Sequence, residues 1–472
     1  MAEIRTDLLV IGAGSGGLSV AAGAVQMGAD VTLVEGGEMG GDCLNFGCVP
    51  SKALIASAKA AHAFAHPAAP GVAPAPPRPD YAAAMEGVQD VIARIAPHDS
   101  QERFEGLGVR VIRAWARFRS PDEVEAGEHV IRARRIVLAT GSSPLVPPIP
   151  GLDGVPHLTN ETLWTLRERP AHLLVVGGGP IGIEMAQAHR RLGAEVTVIE
   201  AARALGREDP EAAALVLGGL RAEGVAIEEN APAAEVRGTA GALEVVAEDG
   251  RVFAGSHLLV AVGRRANTDT LDLAAAGVET SRTGVKVDAR LRTTNRRVFA
   301  IGDVAGGLQF THVAGYHAGI VIRQALLGLP ARAETSHIPR VTYTAPELAQ
   351  VGLTEAEARE AHGDRLDVAR FDYAGNDRAL AERKPEGFIK VMVVRGKPVG
   401  ATIVGHQAGE HVNLWALVLA NRLSMKQVAG MVSPYPTLGE ISKRAAGAYF
   451  SPRLFDNALL KRVVGTVQRL LP

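Results

Sequence analysis

Cysteine is nearly absent from this chain: 472 residues contain two, Cys43 and Cys48. That excludes a disulfide-stapled scaffold, which needs several pairs. Aromatic residues make up only 4%, and with Ala and Gly heavily used this suits closely packed α/β layers. Charge of either sign is missing as a surplus, because 50 Lys and Arg face 51 Asp and Glu for a net charge of −1. No basic footprint for nucleic acid or an anionic membrane follows from that balance. No uncharged apolar run reaches the ~18 residues of a spanning helix. The first residues carry Glu3, Arg5 and Asp7 and run directly into a strand-like segment, so no signal peptide is expected. A soluble cytoplasmic protein with neither nucleic-acid nor membrane partner is the expectation, and no metal-ligating set is assigned. The length suggests about three domains, each able to bury a core.

What is present is glycine in a repeated pattern. Leu8 to Ile11 reads as a buried strand, followed by Gly12, Gly14 and Gly17 in G-x-G-x-x-G spacing, an Ala-rich helix, and a second strand ending at Glu35. Leu173 to Val176 opens a second copy: Gly177, Gly179 and Gly182, a helix to about Leu192, and the strand Glu195 to Ile199 ending at Glu200. In each copy the glycines permit close approach of a pyrophosphate to a helix N-terminus, and the carboxylate suits a ribose hydroxyl. One such turn is weak. Two complete units with the acid at the same offset predict two dinucleotide sites.

Both cysteines fall just after the first unit, in Gly40-Gly41-Asp42-Cys43-Leu44-Asn45-Phe46-Gly47-Cys48-Val49-Pro50-Ser51-Lys52. Residues five apart in regular helix have Cα atoms about 8.7 Å apart, beyond the roughly 7 Å limit for a disulfide. If the two pair, they do not share one helix. Gly47 and Pro50 mark a break that leaves Cys48 near a helix N-terminus, where the dipole favours a thiolate.

With these motifs the chain resembles the class I pyridine nucleotide-disulfide oxidoreductases, the flavoprotein family of dihydrolipoamide dehydrogenase, glutathione reductase and mercuric reductase. Further segments carry the resemblance: Ala139-Thr140-Gly141, Ala261-Val262-Gly263-Arg264, Val298 through Asp303, and Ile338 through Glu355. It implies an α/β fold with two Rossmann-like domains, for FAD and NAD, and a C-terminal α+β dimerisation domain. The implied boundaries are 1–148 and 267–336 for the two parts of the FAD-binding domain, 149–266 for NAD and 337–472 for dimerisation. The resemblance also implies a redox-active disulfide between Cys43 and Cys48. Gly12, Gly14, Gly17, Glu35, Lys52, Ala116, Thr140, Gly141, Asp303 and His312 would then serve FAD. Gly177, Gly179, Gly182, Glu184, Glu200 and Gly263 would serve NADH, with Lys52 and Glu184 as an ion pair, and Glu200 disfavouring the 2′-phosphate of NADPH.

One departure stands out. Disulfide-reducing relatives supply a His-Pro…Glu acid-base pair from the partner subunit; here Tyr435 stands in the histidine's place, and Glu440 is kept. The catalytic set is therefore read as Cys43, Cys48, Tyr435 and Glu440 in a homodimer. The main reading is an NADH-dependent reductase of a small-molecule disulfide, thiol or thiol-linked acceptor. Alternatives are a mercuric reductase-like metal-ion or quinone reductase, and a non-catalytic redox sensor or complex subunit. Two further segments, His62–Asp80 and Asp364–Phe388, read as an irregular connection and a solvated charged stretch.

Overall fold

The computed structural model describes residues 2–67 and 70–471. Its first sheet has seven strands. Arg110–Arg113, Val31–Glu35, Ala2–Ile11 and His129–Leu138 run parallel, and Glu123–Ala126 and Ala116–Phe118 extend them antiparallel. Leu8, Leu9, Val10 and Ile11 are all buried, the continuous apolar run of a parallel strand covered on both faces. The seventh strand, Val298–Ala300, pairs in parallel with Ile136–Leu138, so the chain returns to this sheet after building a second one.

That second sheet, Ala226–Glu228, Glu195–Ile199, His172–Val176 and His257–Val260, is wholly parallel. The helices Ser15–Gln26 and Pro180–Arg191 follow the equivalent first strands of the two sheets, as the repeated glycine pattern predicts. The third sheet is antiparallel, in the order Pro339–Thr342, Glu347–Gly352, Lys397–Gly405, Gly387–Val394 and Leu366–Asp372. Helices Ala408–Ala420 and Glu440–Phe455 close its core around Trp415, Ile403 and Ile441.

The cysteine helix, Cys48–Ala65, buries Leu54, Ile55 and Ala58 in the core shared with Ile183 and Met185. Each such fully buried Leu or Ile contributes roughly 1.5–3 kcal/mol, enough to fix where the cysteines sit relative to the second glycine turn. The third sheet is tied down through Gln187, which exchanges two hydrogen bonds with the Ala345 backbone at 2.8 and 2.9 Å. Lys390 adds a buried ammonium held by Asp209, Glu211 and Glu355 at 2.7, 3.2 and 3.1 Å.

Two sequence expectations need correction. The irregular connection begins later than His62, because the cysteine helix runs to Ala65; of the connection itself, Ala68 and Ala69 lie outside the described residues. The stretch Asp364–Phe388 is not simply solvated: it contributes the strand Leu366–Asp372 and buries Tyr373, Ala379 and Phe388. Its charges mask a buried pattern because Arg370 stacks on Phe388, 4.2 Å from the ring centroid, and pairs outward with Glu211 and Asp372.

Candidate active site

Between the two parallel sheets lies one continuous cleft of about 2380 Å³. A single small-ligand pocket is roughly 300–1,000 Å³, so this space takes two extended ligands. The cysteine run enters it as an elbow. Gly41–Asn45 forms a short helix, the backbone breaks at Phe46 and Gly47, and Cys48 begins the long helix. Gly41 has φ of +60°, and a Cβ there would lie 2.7 Å from the Gly14 Cα; the elbow is therefore seated directly on the first glycine turn. Asp42 accepts from Asn160 at 3.0 Å and pairs with Arg264 at 3.0 Å. Trp164 Nε1 donates to the Phe46 carbonyl at 2.9 Å. Thus residues following the first sheet and residues of the second hold the elbow from opposite sides.

Both thiols are free, and each shifts the other's acidity. The Cys43 S–H bond, then the Thr311 hydroxyl and the Lys52 ammonium, pull the Cys48 thiol down to about 6 against burial and the Asp42 charge. Thr311 Oγ1 lies 3.2 Å from Cys48 Sγ. The same bond to Cys48, with burial and the Cys48 charge, pushes Cys43 up. The opposite directions of the two shifts favour the thiolate at Cys48 over Cys43, and the position of Cys48 at a helix start works in the same direction.

Lys52, one turn further, donates to Glu184 Oε2 at 2.9 Å and lies over the Tyr343 ring at 4.5 Å. Glu184, only 6% exposed, receives the Tyr343 backbone N–H on its other oxygen at 2.9 Å. The ion pair read from sequence is present, and it spans first unit, second unit and third sheet.

The two glycine turns have matching geometry. Gly12 and Gly177 have φ of +106° and +112°, and a Cβ on either would strike the carbonyl of Ala139 or Ala261 at 2.4 Å. Gly14 and Gly179 cap their helices without any side-chain acceptor, and neither first turn carries an acid. Free helix N–H groups therefore face the cleft, the cradle a pyrophosphate requires. Glu35 accepts from Ala13 N and Gly37 N at 2.5 and 2.6 Å; Glu200 accepts from Gly178 N and Ala202 N at 2.6 and 2.9 Å. Gly17 and Gly182 do not line the cleft. A Cβ there would meet the Gly12 or Gly177 carbonyl at 1.8 or 2.0 Å, so these third glycines let each helix pack closely against its own turn.

Asp303 accepts from Ser142 Oγ at 2.5 Å, with Arg264 3.9 Å away. Burial raises its carboxyl above the usual range, opposed by Ser142 and Arg264. Thr140 and Gly141 are locked to Asn267 by three hydrogen bonds of 2.7 to 3.0 Å. Ala116 lies buried at the start of its strand, and Gly263, with φ of +141°, has open space where a Cβ would be. All of these border the cleft. His312 does as well, but its Nε2 contacts the Pro339 carbonyl at 2.8 Å and its ring stacks on Phe310. Its neighbour Thr311 is the residue that reaches the cysteine.

Tyr435 and Glu440 are not among the cleft's lining residues. Tyr435 is 67% exposed and donates to Asp377 Oδ2 at 2.8 Å, while Glu440 opens the helix Glu440–Phe455 beside Arg444. Asp377, through its hydrogen bond and charge, raises the phenol above its ordinary value. Sequence reasoning did not single out Thr311, Arg264 or Tyr343. Arg264 stood in a quoted motif, yet only the fold reveals that it joins Asp42, Ser142 and Asp303.

Residues 6–318 match the pyridine nucleotide-disulphide oxidoreductase family and residues 338–446 match its dimerisation domain. The chain belongs to this family. The oxidoreductase is 35% identical over 457 residues to a mercuric reductase of Streptomyces lividans, covering 94% of this chain and 96% of that one. It is 32% identical over 444 residues to a dihydrolipoyl dehydrogenase of Bacillus subtilis (strain 168), covering 92% and 96%. Among solved structures, a Cu(II) complex of the HOCl-induced flavoprotein disulfide reductase RclA from Escherichia coli is similar, with TM-score 0.85, 28% identity and coverage of 94% and 99%. LpdA from Mycobacterium tuberculosis gives TM-score 0.87, 27% identity and the same coverage. The oxidoreductase is thus a FAD-dependent enzyme that uses a pyridine nucleotide, and its dimerisation domain supports a homodimer. No helix among the described residues is long and apolar enough to cross a membrane.

Proposed function

We propose that this oxidoreductase takes a hydride from NADH and passes both electrons through Cys43 and Cys48 to a small disulfide or thiol-linked acceptor. The observation that carries this reading is the pair of free thiols on the elbow, with Cys48 opening a helix and Thr311 Oγ1 3.2 Å from its sulfur, in the cleft between two glycine turns. FAD, when bound, supplies the two-electron relay between pyridine nucleotide and dithiol. Gly12, Gly14, Glu35, Lys52, Ala116, Thr140, Gly141, Asp303 and His312 would hold it; Gly177, Gly179, Glu200 and Gly263 would hold NADH. In this reading 1–148 and 267–336 form the flavin domain, 149–266 the NAD domain and 337–472 the dimer domain. Glu200 favours a free ribose 2′-hydroxyl, although Arg203 and Arg207 share its wall.

At the dithiol, Cys43 attacks an acceptor sulfur while its proton moves to the neighbouring Cys48 thiolate. One acceptor thiolate leaves. Cys48, giving up that proton to the leaving thiolate, then attacks Cys43, which closes the Cys43–Cys48 disulfide and releases the second acceptor thiolate. Tyr435 and Glu440 of each chain complete the other chain's cysteine site.

Tyr435 favours a second reading, reduction of a thiophilic metal ion. Its hydroxyl is held as a donor to Asp377 and its pKa is raised, so it does not take up a proton at neutral pH; thiolate ligation of an ion requires no proton for a leaving group. Turnover of NADH against lipoamide, glutathione disulfide, Hg²⁺, Cu²⁺ and a quinone tests both readings, with Cys43→Ser as control. Full activity of Cys43→Ser toward every acceptor would remove the dithiol from the path.

A further inference from the structure

The final helix, Ala458–Leu470, has no buried residue. Asn457 caps it by accepting from Leu460 N at 3.1 Å, so its start is locally defined. At 3.6 residues per turn, Leu459, Leu460, Val463, Val464, Val467 and Leu470 share an arc of about 140°. Leu459 and Leu470 are 70% and 75% exposed, and Val463, Val464 and Val467 are at least 41% exposed. An apolar arc this wide and this bare is unusual on a free surface.

Beyond one edge of that arc lies Lys461 and beyond the other lie Arg462 and Arg469, and no acid occurs from 457 to 471. Three positive charges thus gather on one short helix of a chain whose net charge is −1. Two copies of the helix packed against each other would bring like charges along both rims, and the arc is wider than a two-helix seam uses. The helix also lies beyond residues 338–446, which match the dimerisation domain. Basic rims beside an apolar arc complement anionic headgroups over acyl chains.

We propose that the helix Ala458–Leu470 docks this oxidoreductase on an anionic lipid surface, lying in the interfacial plane with its Leu and Val arc toward the acyl chains. The sequence expectation of no membrane partner rested on whole-chain charge and on the absence of a spanning run. A helix about 20 Å long that lies on a bilayer registers in neither test.

The test is flotation of the full-length, flavin-loaded protein with vesicles of phosphatidylcholine alone and of phosphatidylcholine mixed with phosphatidylglycerol. The protein is expected to float with the anionic vesicles only, and to be released by salt. Each basic residue near such a surface contributes roughly fivefold, so Lys461→Glu, Arg462→Glu and Arg469→Glu together lower partitioning by on the order of 100-fold or more. Val463→Asp with Val467→Asp abolishes it. Both variants retain bound flavin and its bleaching by NADH. Equal flotation with neutral vesicles, or unchanged flotation of the charge variant, would overturn the proposal. So would a parent that does not float while the valine variant falls from dimer to monomer in light scattering, since a second copy would then be what covers the arc. The dependence on vesicle composition stands without any variant.

Discussion

Replacing Thr311 by valine keeps the side chain's volume and removes a hydroxyl that lies 3.2 Å from the Cys48 sulfur. A hydrogen bond to a charged group is worth about 1.5–3 kcal/mol; at 1.36 kcal/mol per pH unit, its loss moves the thiolate's midpoint up by roughly 1 to 2 pH units. The parent pair should lose its first proton near 6, with Cys48 as the thiolate. The assay is a pH titration of the thiolate-to-flavin absorbance band in the two-electron-reduced holoenzyme. Thr311→Val should need more alkaline pH to develop the band, and Thr311→Ser should restore the parent profile. Stability follows the same sign: folding lowers Cys48, so the reduced enzyme gains stability as pH rises from about 6 toward 9, where the unfolded thiol also ionises. A Thr311→Val midpoint indistinguishable from the parent's would refute the assignment of this hydroxyl as a thiolate partner.

The remaining predictions concern the cysteines, the nucleotide and the tyrosine. Cys43→Ser should show the long-wavelength thiolate-to-flavin band in the resting enzyme and Cys48→Ser should not; the reverse pattern in absorbance spectra would exchange their roles. Glu200→Ala should narrow the ratio of kcat/KM for NADH over NADPH, and a parent enzyme that already prefers NADPH would show that Arg203 or Arg207 governs the pocket. Tyr435→His should raise lipoamide turnover, within the 10²- to 10⁴-fold a positioned base can contribute, and leave stopped-flow flavin reduction by NADH within about twofold, because that step needs no group from the dimerisation domain. Tyr435→Phe and Tyr435→His both matching the parent on every acceptor would reduce the side chain to packing.

Much of the site is local in sequence, and that part was legible. Gly12, Gly14 and Glu35 act through backbone geometry within one strand-turn-helix unit, so their spacing announces them; Gly177, Gly179 and Glu200 repeat it. The break between Cys43 and Cys48 was likewise readable, since Gly47 and Pro50 lie inside the same thirteen residues. The third glycines were legible by spacing, whereas their close packing against the Gly12 and Gly177 carbonyls is visible only in the fold. Asp364–Phe388 was misread because its exposed charges sit on an edge strand whose opposite face is buried.

What stayed hidden depends on segments far apart in the chain meeting. Thr311 is 263 residues from Cys48 and Tyr343 is 159 from Glu184; Thr311 stands in no motif, and the motif that holds Tyr343 does not announce its contact with Glu184. Arg264 gathers Asp42, Ser142 and Asp303 into one network, and its importance comes from that convergence. The consequence for mechanism is specific. The electrostatics that make Cys48 a thiolate come from its own helix, from Cys43, from Lys52 and from the start of the helix Thr311–Ala325, all within one chain. Tyr435 belongs to a different element, absent from the cleft lining. Substitution at Tyr435 should therefore change turnover with an acceptor and leave the Cys48 titration unchanged, two outcomes that the acceptor panel and the pH titration read separately.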